Sequence, residues 1–274
     1  MINDLESQYT NQIEILINQI NKAFIAELKK TMSEEGVDDA IIRQVKLNAF
    51  KDIYEKFKKL SDKFRSDYYS NKVIKQMEII FENADKRVKK MITKTFKDSK
   101  REIPVLKLKT PSEALKTSVS ENIDLIKGIV DKQVTDLQAA VFKSLRRGFD
   151  PETIETEVLK QCDNGLEYAK FVSRDQLAKA HAAINEERQR SSGIDGYIWI
   201  VTNDSKARKS HREHHNKFYT WDKPPLINFA LDNQKRAPEN LHPGEDYQCR
   251  CIGLPAFSPE DAEVLSSRIK ARTY

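Results

Sequence analysis

Tyr197-Ile198-Trp199-Ile200-Val201-Thr202 decides the fold class of this 274-residue chain. The run is β-branched and aromatic, the composition of a buried strand. It stands where the character of the sequence changes. Residues before it are patterned for helices, and those after it are loop-rich. Beyond Gly193 the chain gathers four of its five histidines, both tryptophans, six of its nine prolines and two of its three cysteines. The expected class is mainly α with a small α+β C-terminal module. A module of roughly 65 residues buries little core, so such modules often need a metal or a partner surface to hold them.

Towards the N-terminus the apolar residues recur at three- and four-residue steps, one stripe per helix. The first stripe is Ile13, Leu16, Ile17, Ile20, Phe24 and Leu28. After Gly36, with Asp38-Asp39 as N-cap chemistry, a second runs Ile42, Val45, Ala49, Ile53, Phe57, Leu60, Phe64 and Tyr68. Ser70-Asn71 reads as a break before a third, Ile74, Met77, Phe81, Val88, Met91 and Ile92. Narrow stripes without proline fit long helices arranged as an arm or as a bundle, over residues 1–102. Residues 103–111 read as a basic linker. Thr110-Pro111 with Glu113 then starts a helix in a capping-box arrangement, which stops at Gly148. Asp150-Pro151-Glu152 starts a short helix that carries Cys162, and Gly165 separates it from another that ends near Gly193. These helices make up 112–192, the loop-rich module 193–257, and a last helix 258–274.

Composition excludes several classes. With 39% hydrophobic and 32% charged residues the chain is polar, yet too rich in large apolar residues to be disordered throughout. No apolar run approaches the roughly 20 residues of a membrane helix, so no membrane partner is expected. Met1-Ile2-Asn3-Asp4 shows no secretory leader, and an odd number of cysteines does not make a disulfide scaffold. The net charge of +5 is local. Lys86 to Lys109 holds ten Lys/Arg against two acids, a window of +8 that leaves −3 for everything else. It reads either as a solvated helix face or as a contact surface for phosphates or an acidic partner, carried by Arg87, Lys89, Lys90, Lys94, Lys97, Lys100 and Arg101.

The C-terminal module concentrates ligand chemistry. Cys249-Arg250-Cys251 sets two thiols one residue apart, and a disulfide between them would close a strained ring. One structural zinc held by His211, His242, Cys249 and Cys251 is chemically ordinary. Against it, Cys-x-Cys lacks the two-to-four spacing of zinc fingers, and the pair otherwise straddles a strand with one thiol buried and one not. Ser210-His211-Arg212-Glu213-His214-His215-Asn216 also holds parts of a metal-dependent nuclease, centred on His211, His215 and His242, but not the HExxH spacing of a zincin. His214 and His215 otherwise sit exposed at a helix end. Asp204 and Arg208 are spaced for an ion pair, and His181 reads as a surface helix residue.

These residues carry a resemblance. Ser173-Arg174-Asp175-Gln176, Tyr197-Ile198-Trp199, Asp204-x-x-x-Arg208-x-x-His211, Trp221-Asp222-x-Pro224-Pro225, His242-Pro243-Gly244-Glu245-Asp246 and Cys249-Arg250-Cys251 follow in one order. Over about residues 120 to 257 the chain resembles the phage Mu protein F-like family of head-morphogenesis, or minor capsid, proteins. The resemblance implies structural roles for Arg174, Asp204, Arg208, His211, Trp221, Pro243, Gly244 and Arg250. It also implies a non-enzymatic protein carried inside the phage head and made in the host cytoplasm. Its partners would be the portal protein and the scaffold or major capsid protein, with contact to packaged double-stranded DNA at the basic segment. Where the family has a glycine shortly after the first histidine, this chain has Asn216, which tolerates the left-handed backbone such a turn needs. The alternatives are a metal-dependent nuclease or hydrolase and a zinc-containing nucleic-acid-binding module.

Overall fold

The computed structural model of the chain describes residues 3–34, 55–109, 112–147, 151–201 and 207–261. Outside them lie the second stripe as far as Ile53, Thr110-Pro111, Gly148 to Asp150, Asp204 and all but the start of the C-terminal helix. Six helices come first: α1 Asn3–Glu34, α2 over residues 55–65, α3 Asp67–Asp98, α4 Val105–Lys109, α5 Glu113–Arg147 and α6 Pro151–Ser191. Then follow β1 Gly196–Ile200, α7 Lys209–Arg212, β2 Phe218–Thr220, β3 Leu226–Ile227, a 3-10 turn Phe229–Asp232, β4 Glu239–Asn240 and β5 Ile252–Ala256. The class is mainly α with a small α+β C-terminal part, and the strand at Tyr197 is β1.

Two units interleave in sequence. One comprises Met1–Glu6, Ile79–Val119 and Arg174–Tyr274, the other Ser7–Glu78 and Ser120–Ser173. The second is a helix bundle built from the stripes. Ile13, Ile17, Ile20, Phe24 and Leu28 of α1, Phe57 and Phe64 of α2, and Ile126, Val130, Val134, Leu137 and Val141 of α5 are all buried. Phe24 stacks on Phe57 at 4.9 Å. Side-chain amides cross this core: the buried Gln133 Nε2 donates to Asn21 Oδ1 (2.7 Å), and the half-buried Gln138 Nε2 to the Ser61 hydroxyl (2.9 Å). Slipping a helix would strand such groups without partners, so they hold its register as well as its depth.

Two helix boundaries differ from the sequence reading. α3 runs straight through Ser70-Asn71, and the chain breaks instead at Ser66, whose N–H and hydroxyl both turn back to the Lys63 carbonyl (3.2 and 2.5 Å). α6 is one helix of 41 residues and does not stop at Gly165. A Cβ there would fall 1.6 Å from Gln133 Oε1, so the glycine makes room for a neighbouring side chain and is not a terminator.

In the first unit, Val88, Ile92 and Phe96 of α3 pack with Ile184 of α6, Ile194 and Leu108 of α4. Residues 105–109, in the stretch read as a linker, thus contribute a turn of helix with one buried leucine. The start of α5 is capped twice. The Ser112 hydroxyl accepts from Leu115 N–H (3.0 Å), and the Glu187 carboxylate accepts from Glu113 and Ala114 N–H (3.0 and 2.7 Å). Burial works against ionising Glu187, but Ser112 and these N–H groups outweigh it and hold its pKa below the usual value. α6 ends at Gly193, whose φ of +76° lets Ile194 N–H reach back to the Gln189 carbonyl (2.9 Å).

His181 is buried, not on the surface. Burial, reinforced by the Arg87 charge, depresses its pKa to about 4. The unfolded chain therefore takes up a proton at about pH 6.5, where the folded chain does not. The stability that this neutral imidazole contributes is intact above pH 6.5 and is lost as pH falls towards 4. Melting temperatures are expected to drop across that window, and His181→Leu is expected to flatten the profile. An unchanged slope in the variant contradicts the assignment.

The sheet places the module. β1 is central, antiparallel to β2 on one side and to β5 on the other. Alternation along β1 sends Tyr197 and Trp199 into one core, with Trp221, Ile227, Phe229 and both cysteines, and Ile198 and Ile200 into another with Ala256 and Phe218.

Candidate functional site

Three loops converge on the Trp199 side of β1. α7 carries His211 into the core, 3% exposed. The turn after it needs one left-handed residue, and Asn216 supplies it with φ +62°, its N–H donating to the Trp199 carbonyl (2.8 Å). The second loop, His242 to Asp246, lies on α6. Gly244 has φ +99°, and a Cβ there would come within 2.6 Å of the Ala182 methyl, so this turn accepts only glycine. Glu245 closes the turn by accepting from His242 N–H (2.5 Å). The third loop brings Cys249 and Cys251 to the edge of β5. Asp175 of α6 holds it by accepting from Gln248 N–H (2.6 Å) while Gln248 takes a left-handed φ of +53°.

The result is a cluster of His211, Cys249 and Cys251. His211 Nδ1 faces both sulfurs, each at 3.4 Å, and the ligand atoms of all three residues lie within 4.8 Å of one another. Its Nε2 is 3.1 Å from Asp246 Oδ2. Asp246 is the hub. Its carboxylate also accepts from Arg208 and from Arg236 (2.8 Å for the latter) and from Tyr247 N–H (2.8 Å), with its side chain 1% exposed. Both cysteines are free thiols and both are buried, so the reading of one buried and one exposed does not hold. Cys251 N–H points at the Cys249 sulfur (3.4 Å). The buried indole N–H of Trp199 has no hydrogen-bond partner of good geometry and faces the Cys251 sulfur.

Electrostatics follow from these contacts. Burial works to raise the Asp246 pKa, yet hydrogen bonds from His211 and Arg236 and the Arg208 charge bring it to about 2. Burial likewise works to lower His211, but Asp246 and Cys249 raise it to about 9. The Cys251 contact and the imidazole hold Cys249 well below the ordinary thiol value against burial, and the same contact pushes Cys251 up.

Other residues singled out in the sequence fall elsewhere. His242 is not in the cluster: its Nδ1 meets the Tyr197 hydroxyl (2.9 Å), and its ring packs on Trp221 at 4.9 Å. Trp221 itself is buried, its indole N–H donating to Gln189 Oε1 (3.3 Å). His215 is exposed and accepts from Val201 N–H (3.2 Å), and His214 meets the Tyr219 hydroxyl (2.7 Å). The three imidazoles of the nuclease reading thus have three separate sets of partners. Among the described residues, His211, Cys249 and Cys251 are the group placed to hold a metal. Asp204 lies outside those residues, and Arg208 pairs with Asp246 and the Tyr247 carbonyl. Arg174 pairs with Glu6 (2.5 Å) and, with Arg208 and Arg250, lines a cavity of about 190 Å³ against the cluster. Pro243 is buried beside the Gly253 backbone.

Residues 135–253 match the model of the phage Mu protein F like protein family. This stretch is similar to the phage Mu F-like family. It contains β1, β2, the start of β5, α7, the His242–Asp246 turn and both cysteines, together with the helical run that carries Arg174 and Asp175. A 158-residue segment, 58% of the chain, is also 27% identical to an uncharacterized protein of Haemophilus influenzae, and the chain spans about a third of that protein's length. No solved structure matches the chain. The matched stretch contains Asp246 and Asp175, to neither of which the sequence alone gives a role. The hub position of Asp246, three residues before Cys249, is legible only once Arg208, Arg236 and His211 are seen around it.

The basic segment is more neutralised than its composition suggests. Arg87 forms a two-pronged pair with Asp4, Lys89 pairs with Asp85 (2.8 Å), Lys94 lies 3.9 Å from Asp98, and the Arg101 guanidinium stacks on the Phe257 ring at 4.1 Å. Lys90, Lys97 and Lys100 are exposed on the same stretch. No helix among the described residues is long and apolar enough to cross a membrane.

Proposed function

We propose that the chain is a phage minor head protein that acts in head morphogenesis. It is held at the portal inside the procapsid beside the scaffold or major capsid protein, and it has no enzymatic role of its own. The observation that carries this reading is the phage Mu F-like match over residues 135–253, which takes in β1 and most of the module around it. The module's polar groups are occupied in holding loops together: Asp246 binds two arginines and a histidine, and Asp175 binds a backbone amide. That supports a part built for shape. Inactivating the reading frame in a phage or inducible lysogen that carries it is expected to leave lysis intact and to deplete filled heads. A normal yield of infectious particles removes the reading.

Contact with packaged DNA is assigned to the exposed lysines at the end of α3 and just beyond it. Such binding is electrostatic and weakly sequence-selective, and each phosphate contact steepens the dependence of log affinity on log salt by about 0.9. Changing Lys90, Lys94, Lys97 and Lys100 together to Gln is expected to weaken duplex binding at low salt by about tenfold or more and to flatten that slope. Arg87→Gln tests the intramolecular pairing, because its loss should disturb the contact with Asp4 more than DNA binding. Unchanged affinity and slope in the lysine variant overturn the DNA assignment.

A further inference from the structure

We propose that the phage Mu F-like module binds one zinc ion through His211 Nδ1, Cys249 Sγ and Cys251 Sγ, with the fourth position taken by water or a small anion in the arginine-lined cavity. This site is independent of the proposed role in the head, and it differs from the ligand set read off the sequence, because His242 is replaced by an exogenous donor.

Four observations carry it. The first is spacing. Tetrahedral zinc with Zn–N of about 2.0–2.1 Å and Zn–S of about 2.3 Å sets its nitrogen and sulfur ligands about 3.5 Å apart. Both imidazole-to-sulfur separations here are 3.4 Å. The second is the orientation of the ring. With Nε2 turned to Asp246, Nδ1 is the ring atom left facing between the two sulfurs, and once its proton is displaced its single lone pair is aimed at one ion between them. The carboxylate–histidine–metal arrangement has this form, in which the acid bound to the far ring nitrogen fixes the tautomer. The third is the treatment of the sulfurs. Cys251 N–H approaches the Cys249 sulfur, and the otherwise unpartnered, fully buried Trp199 N–H faces the Cys251 sulfur. Donors gathered on buried sulfur suit thiolates, the form that ligates metal. The fourth is the opening. The cavity of about 190 Å³ is lined by the three ligand residues together with Arg174, Arg208 and Arg250. It has room for a water or small anion, and the arginines favour a negatively charged fourth donor. Two thiolates and an imidazole select zinc over hard cations that prefer oxygen.

The test uses the full chain, purified without chelator and then titrated with zinc and, separately, with cobalt(II). One equivalent of either metal is expected per chain, and the cobalt form should show thiolate-to-cobalt charge-transfer absorption with the intense d–d bands of a tetrahedral centre. Cys249→Ser, Cys251→Ser and His211→Ala should each bind zinc at least tenfold more weakly. His242→Gln should keep the full equivalent. Cobalt spectra of the unaltered chain keep the question answerable if a cysteine variant does not fold. The proposal is overturned if the unaltered chain takes up neither metal, as a bare imidazolium–thiolate pair would. It is also overturned by a cobalt form without thiolate absorption, by full zinc retention in Cys251→Ser, or by loss of zinc in a His242→Gln variant with an unchanged circular dichroism spectrum.

Discussion

Asp85→Ala is expected to lower the unfolding free energy by about 3–5 kcal/mol, the range for removing one member of a buried ion pair. Asp85 on α3 meets Arg188 on α6 through two hydrogen bonds, Nε to Oδ1 (2.6 Å) and Nη2 to Oδ2 (3.0 Å). The side chains are 7% and 3% exposed. From its buried position the guanidinium does not turn out to solvent, and its contact with the Lys107 carbonyl (3.5 Å) offsets only part of its desolvation cost. Lys89, the second partner of Asp85, is 29% exposed and rehydrates more easily. Replacing both members, Asp85→Leu with Arg188→Met, should recover most of the loss, because an apolar pair of similar volume carries no desolvation cost. Chemical denaturation of the three variants reads the effect. A single variant within about 0.5 kcal/mol of the unaltered chain would show that the pair is not buried in solution.

Asp246→Ala is the second large effect, at about 3 kcal/mol. One carboxylate neutralises Arg208 and Arg236 and orients His211, and its side chain is 1% exposed. Arg208 and Arg236, 23% and 44% exposed, have routes to water, which keeps the cost near the lower end of the range for buried pairs. His211, 4% exposed in its side chain, has no such route and loses the partner that fixes its tautomer. Zinc affinity should therefore fall as well, by about 10–100-fold, the usual cost of removing a carboxylate that orients a ligating histidine. Asp246→Asn keeps the shape and one acceptor, and should fall between the unaltered chain and Asp246→Ala in both measurements. If Asp246→Ala leaves both stability and zinc affinity unchanged, the hub is not formed in solution.

Legibility divided along local and non-local lines. Helical stripes and the strand at Tyr197 are properties of neighbouring residues, and they survive in α1, α3, α5, α6 and β1 because periodicity alone decides which face is buried. Asn216 and Gly193 were readable for the same reason, since a turn needs a residue type at one place. Gly165 was misread because the space it leaves serves Gln133, 32 positions earlier. The Asp85–Arg188 pair, 103 residues apart, has no local signature on helices rich in charge. His181 looked like a surface residue between lysine and alanines, and only the packing of α6 shows it buried. In the candidate site, the ordered C-terminal residues named the right neighbourhood, and His211, Cys249 and Cys251, three of the four residues read there as ligands, lie together. Whether His242 joined them depended on which side of Tyr197 its loop passes, and that is set by Gly244 lying against Ala182, not by the spacing of ligands along the chain.

Quantitative mass spectrometry of purified, nuclease- and protease-treated phage heads tests the central claim most directly. If the chain is a minor head protein, its peptides are protected from protease, present at low copy relative to the major capsid protein, and retained in proheads as well as in filled heads. Heads that assemble and fill while this chain stays wholly in the soluble fraction of the lysate would contradict that account.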